Sequence, residues 1–83
     1  MQNKAKVIVA DYFNAHADKS NPESYITPDD VYVVWFCKTL QNWKCLLSTN
    51  VPDGIYYELT YNGDKHETYV DVYKKWENVC VKD

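Results

Sequence analysis

The residue types that most often carry out chemistry in proteins are few in this chain. It has two histidines, His16 and His66, and three cysteines, Cys37, Cys45 and Cys80. No two cysteines form a C-x-x-C pair, and no histidine lies at metal-ligand spacing from a cysteine. We therefore expect no metal site, and we interpret the thiols as free and buried. A nucleophilic pair of Cys37 or Cys45 with His66 remains an alternative that no spacing supports.

Phosphate binding by a Gly-rich loop and acid–base catalysis by carboxylates are two further kinds of chemistry to consider. Gly54 and Gly63 are the only glycines, and both lie in predicted turns, so a Gly-rich phosphate loop is not expected. Glu58, Glu67 and Asp71 could act as paired carboxylates in acid–base catalysis. Carboxylates on exposed strands usually serve solubility alone, and we expect a protein without enzymatic activity and without a cofactor.

Composition limits the classes of function. The 83 residues predict one domain over residues 1–83, and aromatic residues make up 16% of them, which supplies a core or a binding surface. The net charge of −3 lacks the basic footprint of a nucleic-acid-binding protein. The longest apolar run near the N-terminus, VIVA, is too short for a signal peptide or a membrane span, so we expect a cytoplasmic protein with no membrane contact.

Helical spacing characterises residues 4–17. Their apolar stripe follows the i, i+3, i+4 pattern, which predicts an amphipathic helix. The stripe consists of Ala5, Ile8, Val9, Tyr12, Phe13 and His16. A polar connection with two prolines follows over residues 18–28. Thr27 and Asp30 could cap a short helix, but we favour a turn that leads directly into a strand.

The rest of the chain predicts two hairpins. The first has a tight turn at Gln41-Asn42, and the second turns at Asn62-Gly63, the strongest short hairpin signal. Residues 51–54 join the hairpins in a turn. Residues 76–83 extend the last strand or form a helical turn. We thus predict an α+β fold, with an N-terminal helix packed on a four-stranded antiparallel sheet of two sequential hairpins.

Alternation in the second hairpin separates two sheet faces. Ile55, Tyr57 and Leu59 point towards the predicted helix. Any even-length turn then gives the other face tyrosines and carboxylates without aliphatic side chains. That face consists of Tyr56, Glu58, Thr60, Glu67, Tyr69, Asp71 and Tyr73. Such a face is either solvated or a binding surface.

The first predicted strand begins with VYVVWFC, residues 31–37, which is apolar on both faces. Val31, Val33, Trp35 and Cys37 form one face by alternation, and the residues between them form the other. One helix covers a single sheet face, and such a strand is uncommon in the middle of an antiparallel sheet with one wet side. We therefore expect a second cover: the C-terminal segment with Trp76, Val79 and Val81, a second copy of the chain, or a different partner.

Several segments carry a resemblance to a known family. They are the block VVWFCKTLQNWKCLLST and the block DGIYYELTYNGDKHETYVDVYKKWEN. Over most of its length the chain resembles small uncharacterised proteins encoded by phages, prophages and conjugative elements of low-GC Gram-positive bacteria. The resemblance implies an accessory protein of a mobile element in the cytoplasm of a bacterial host. It implies no catalytic residue.

These observations lead to one predicted function and one alternative. We expect a non-enzymatic module that binds and inhibits or modulates a host or defence protein, with an anti-CRISPR or other anti-defence role as the most concrete form. A homodimer is possible. The alternative is a nucleic-acid-binding regulator that stacks bases on an aromatic sheet face, which the carboxylates disfavour. The predicted protein-binding residues are Tyr56, Glu58, Tyr69, Asp71, Tyr73 and Trp35.

Overall fold

One α-helix, two short 3-10 helices at Pro22–Ser24 and Pro28–Asp30, and one meandering sheet make up the regular structure in the computed structural model, which describes residues 1–17 and 20–83. The elements are helix α1, Gln2–Ala15, and strands β1, Val31–Thr39; β2, Asn42–Thr49; β3, Ile55–Asn62; and β4, Glu67–Lys74. The strands lie in chain order and every neighbouring pair is antiparallel. The predicted α+β fold of a helix and two sequential hairpins is confirmed.

Helix α1 uses most of the predicted apolar stripe. Ala5 and Val9 are fully buried, and Ile8, Tyr12 and Phe13 pack partly buried against the core. The prediction for His16 is wrong: it is exposed, its Nδ1 atom lies 2.8 Å from the Tyr12 carbonyl oxygen, and its ring stacks on Tyr12. The reason is local, since the helix ends at Ala15 and residue 16 does not continue the stripe.

Two hydrogen bonds made by one amide side chain hold the connection from α1 to β1 in place. The Nδ2 atom of Asn14 donates to the Ile26 carbonyl, and the Ile26 N–H donates to its Oδ1 atom, both at 2.8 Å. Asp18 and Lys19, which begin the predicted polar connection, lie outside the described residues. These two bonds fix the approach of the chain to the sheet.

The residues before β1 combine both structures that the sequence allowed. Pro28–Asp30 form one 3-10 turn, and the Asp30 carboxylate accepts a hydrogen bond of 2.9 Å from the Thr27 N–H. Strand β1 begins at the next residue, Val31. The sequence favours a direct turn over this capped turn. Both occur here, because the strand begins immediately after the capped 3-10 turn.

The turn of the first hairpin lies one residue before the predicted position. Thr39 pairs with Asn42, so Leu40 and Gln41 form the turn, and Leu40 adopts a φ of 54°. A large side chain is uncommon in this left-handed conformation. The sequence therefore carried no glycine or asparagine signal at the residue where the turn begins.

The turn of the second hairpin is longer than a two-residue Asn-Gly turn. Asn62 pairs with Glu67, which leaves a loop of residues 63–66, and this even length preserves the predicted alignment of β3 with β4. Gly63 is needed for a different reason from the predicted one. A Cβ atom there would collide with the main chain of Gln41 at the tip of the first hairpin.

The core lies between α1 and the middle of the sheet. Its large buried side chains are Val9, Trp43, Cys45, Leu47, Tyr57 and Leu59. Trp43 stacks on Tyr61 with ring centroids 5.3 Å apart. All three thiols are free, and the prediction of buried thiols holds for Cys45 but is wrong for Cys37 and Cys80, which are exposed.

Candidate binding face

The sheet face opposite α1, called the open face below, gathers all the predicted binding residues. Side chains alternate along a strand, so the neighbours of the buried Cys45, Leu47, Tyr57 and Leu59 point away from the helix. We define the open face as Tyr32, Trp35, Lys44, Leu46, Tyr56, Glu58, Glu67, Tyr69, Asp71 and Tyr73. The predicted set Tyr56, Glu58, Tyr69, Asp71, Tyr73 and Trp35 therefore shares one surface.

A bulge in β1 directs Trp35 to this surface. Val33 pairs with Leu47 and Trp35 pairs with Leu46, so Val34 is an extra residue and the register shifts. Phe36 consequently packs on the helix side, with its ring centroid 6.0 Å from that of Trp43. The prediction that Trp35 shares a face with Val33 is wrong, because the bulge reverses the parity of the strand.

The register also sets the charge pattern of the open face. Leu46 pairs with Glu58, and Glu58 pairs directly with Asp71. The Nζ atom of Lys44 lies 3.6 Å from a Glu58 oxygen, whereas no described residue forms an ion pair with Asp71. Like charges directly opposite each other on neighbouring strands repel. A cation placed near Asp71 would therefore be stabilised.

No described segment covers the open face. Tyr32, Trp35, Tyr69 and Tyr73 are all exposed, and Tyr56 is half-buried. Residues 76–83 form neither a strand extension nor a helical turn, contrary to the prediction. Trp76 is 96% exposed and the valines of this segment are exposed too, so the C-terminal segment does not provide the cover that was one of the alternatives.

A hydrogen bond between two side chains of this face shifts the pKa of one of them. The Tyr69 hydroxyl donates a hydrogen bond of 2.8 Å to the Glu67 carboxylate, and this bond raises the pKa of Tyr69. Glu58 and Asp71, which the register places directly opposite each other, have no histidine beside them in the ladder. The described residues contain no group of three or more His, Cys, Asp or Glu able to hold a metal ion.

The alternative of a cysteine and histidine pair gains no support from the geometry. Cys45 is fully buried opposite Leu59, and burial raises the pKa of its thiol, which disfavours the reactive thiolate. The Nδ1 atom of His66 lies 3.4 Å from the Tyr61 hydroxyl. Cys37 is exposed and lies opposite Lys44 on the neighbouring strand.

Two depressions of about 280 Å³ mark the sheet. One lies near the hairpin tips, beside Cys37, Lys44 and Tyr61, and its described lining includes no histidine or carboxylate. The other, called the helix-end pocket below, lies between the end of α1 and strands β3 and β4. Its lining residues include Tyr12, Phe13, His16, Asp53, Tyr57 and Val72. Sequence analysis found neither depression, because both depend on how elements pack.

Comparison with known proteins finds a matching family. The model of a family described as "Family of unknown function (DUF6275)" matches residues 2–83. No curated protein and no solved structure matches the chain. None of the helices in the described ranges, 1–17 and 20–83, is long and apolar enough to cross a membrane.

Proposed function

The chain belongs to this family of unknown function, DUF6275, and we propose that it is a protein-binding module without enzymatic activity. Its binding surface is the open face. The observation that supports the proposal is the set of large aromatic side chains, Trp35, Tyr69 and Tyr73 among them, that the fold leaves exposed on one continuous sheet surface. Tyrosine and tryptophan are enriched at the energetically dominant positions of protein interfaces.

The open face combines aromatic contact area with negative charge, which suits an interface that selects its partner by charge. Tyrosines contribute large contact area and lose little conformational entropy on binding. Glu67 and Asp71 add negative charge, and Lys44 is already engaged with Glu58. Electrostatic complementarity then favours a partner with a cationic surface.

The specific form of the proposal rests on the resemblance of the sequence to small proteins of phages and other mobile elements, and not on the geometry. We propose that the partner is a host or defence protein whose activity the chain inhibits or modulates, with anti-CRISPR or other anti-defence action as the most concrete case. A bacterial cytoplasm is the compartment that this role requires.

The experiment is a capture of partners with tagged protein, followed by affinity measurements with the identified partner. Tyr69→Ala should weaken binding by about 1–3 kcal/mol and leave the thermal unfolding temperature almost unchanged. Tyr25→Ala is the matched control, because Tyr25 is also exposed but lies in the connection before β1. Equal affinities of the wild type, Tyr69→Ala and Tyr73→Ala would refute the open face as the binding surface.

Nucleic-acid binding is separated from protein binding by a direct titration. Three carboxylates share the open face with a single lysine, which opposes binding of phosphates. We expect no binding of single-stranded DNA or RNA at low salt. Micromolar or tighter binding that weakens steeply with added salt would favour the nucleic-acid regulator instead.

A further inference from the structure

Strand β4 forms one edge of the sheet and has an unused set of main-chain hydrogen-bonding groups. The Lys75 N–H donates to the Gly54 carbonyl at 2.7 Å, so the odd-numbered residues of this segment point their N–H groups towards β3. The N–H groups of the even-numbered residues, Val70 and Val72 among them, point away from the sheet. No described strand pairs with them.

The two edges of the sheet differ in regularity. The ladder between β3 and β4 runs from Ile55 to Asn62 without a register shift. Strand β1, at the opposite edge, is interrupted by the bulge between Val33 and Trp35. Bulges protect sheet edges from further pairing, whereas a long regular edge accepts an additional strand. Strand β4 is therefore the edge suited to extension.

Strand β4 is also only partly covered on the helix side, where Val70 packs against the core. Helix α1 packs most closely against β1 and β2, which leaves Val72 42% exposed. Val72 contributes to the lining of the helix-end pocket, together with Tyr12 and Tyr57. An additional strand beside β4 would bring its helix-side residues next to this pocket. Their side chains should consequently be apolar.

On the open-face side of β4, an additional strand should carry a different kind of residue. Glu67 and Asp71 lie on this side, and Asp71 faces Glu58 on the neighbouring strand. Residues of an additional strand on this side would lie within reach of these carboxylates. Lysine or arginine there would offset the repulsion between Glu58 and Asp71.

We propose that β4 binds an extended segment of a partner protein as a fifth strand. The segment alternates apolar residues, which face the helix-end pocket, with lysine or arginine, which faces Asp71 and Glu67. The inference rests on the proposed protein-binding function and defines its mode as strand addition. A second copy of the chain fits less well, because antiparallel pairing of two β4 strands centred on Asp71 would place the two Asp71 carboxylates directly opposite each other.

The test uses the complete chain and two synthetic peptides of about ten residues, a typical strand length. One peptide alternates Val with Lys and the other alternates Val with Glu. Hydrogen exchange of single amides is followed by NMR. Saturation with the Val–Lys peptide should slow exchange at Val70 and Val72 by about tenfold or more, because their N–H groups become hydrogen-bonded. The Val–Glu peptide should leave both rates unchanged.

Two variants separate the main chain from the side chain. Val72→Pro removes one outward N–H and keeps the bonds to β3, so it should abolish peptide binding. Val72→Ala keeps the N–H, and exchange at Val70 should still slow when the peptide is added. Equal binding of the peptide by Val72→Pro and the wild type would overturn the proposal.

Other outcomes also decide the question. Unchanged exchange at Val70 and Val72 with saturating Val–Lys peptide would overturn strand addition in the wild type, whatever the variants do. Slow exchange that depends on protein concentration without peptide would identify a second copy as the occupant instead. If strand addition fails while Tyr69→Ala still weakens capture of the partner, the open-face function stands and only its mode is wrong.

Discussion

On the helix side of the sheet Tyr57 is 3% exposed, whereas on the open face Tyr69, an identical residue type, is 54% exposed. Both hydroxyls have a raised pKa, but for different reasons. Burial raises the pKa of Tyr57, and a hydrogen bond to Glu67 raises that of Tyr69. The same side chain thus contributes to the core at one position and to a free surface at the other.

The difference arises because one helix cannot cover a four-stranded sheet. Helix α1 has 14 residues and is about 21 Å long. It packs most closely over β1 and β2, and the central strands β2 and β3 hold most of the buried residues of the sheet, whereas β4 and much of the open face are exposed. Aromatic content by itself therefore does not distinguish core from interface. The position of the single helix does.

Replacement of adjacent leucines tests this contrast most strongly. Leu47 is fully buried beneath the helix, and Leu46 lies on the open face. Leu47→Ala should lower the free energy of unfolding by about 2–5 kcal/mol, because it removes buried methyl groups and leaves a cavity. Leu46 is half-buried, so Leu46→Ala should cost about 1 kcal/mol, the centre of the range for point mutants. Urea unfolding of both variants measures the two values.

The leucine pair also sharpens the functional contrast. Leu46→Ala should weaken capture of a partner, since Leu46 lies between Trp35 and Glu58 in the sheet ladder. Equal loss of stability in both variants would mean that the open face is packed in solution. In that case a cover, such as a second copy, is present without any added partner.

Alkaline pH should weaken the helix side of the sheet through Tyr57. Because its pKa is raised in the folded state, folding keeps its proton bound where the unfolded chain, with a tyrosine pKa of about 10, releases it. The contribution to stability is complete below about pH 10 and is lost as the pH rises through the folded-state pKa. Tyr57→Phe should reduce this loss in unfolding experiments between neutral and alkaline pH. An unchanged alkaline decline would contradict burial of the hydroxyl.

The smallest effect concerns the open face alone. Glu67→Ala removes the hydrogen-bond acceptor of Tyr69, so the pKa of Tyr69 should fall towards its ordinary value near 10. Glu67→Gln keeps an acceptor without the charge and should lower the pKa less. The pKa of Tyr57 should stay the same in both variants. Ring carbon chemical shifts followed by NMR give each value, and a shift of Tyr57 in step with Tyr69 would show that the two faces are coupled.

Local sequence patterns were sufficient for much of the fold. The spacing of Ala5, Val9 and Tyr12 located the helix within two residues at each end. Strict alternation in residues 55–61 located β3 and assigned Glu58 to the open face. These features depend on periods of 3.6 and 2 residues, which neighbouring residues define by themselves.

The position of the first turn and the direction of Trp35 were not available from local patterns. Leu40 takes a left-handed conformation without glycine, and the bulge at Val34 carries no glycine either. The turn position and the bulge are both set by the pairing of β1 with β2, whose residues Trp43 and Leu47 face the helix. A contact between distant residues therefore overrides the local preference.

The sequence by itself determined the helix, the four strands and the separation of the second hairpin into an apolar and a tyrosine-rich face, since side-chain periodicity is a property of the local chain. Only the tertiary structure decided that Trp35 joins the tyrosines, that Trp76 covers nothing, and that β4 is left open at its edge. The physical reason is that burial and free hydrogen-bonding groups depend on which elements pack together. One short helix near β1 and β2 leaves Val72 on the helix side of β4 exposed, and the strand order leaves the outer edge of β4 without a neighbouring strand.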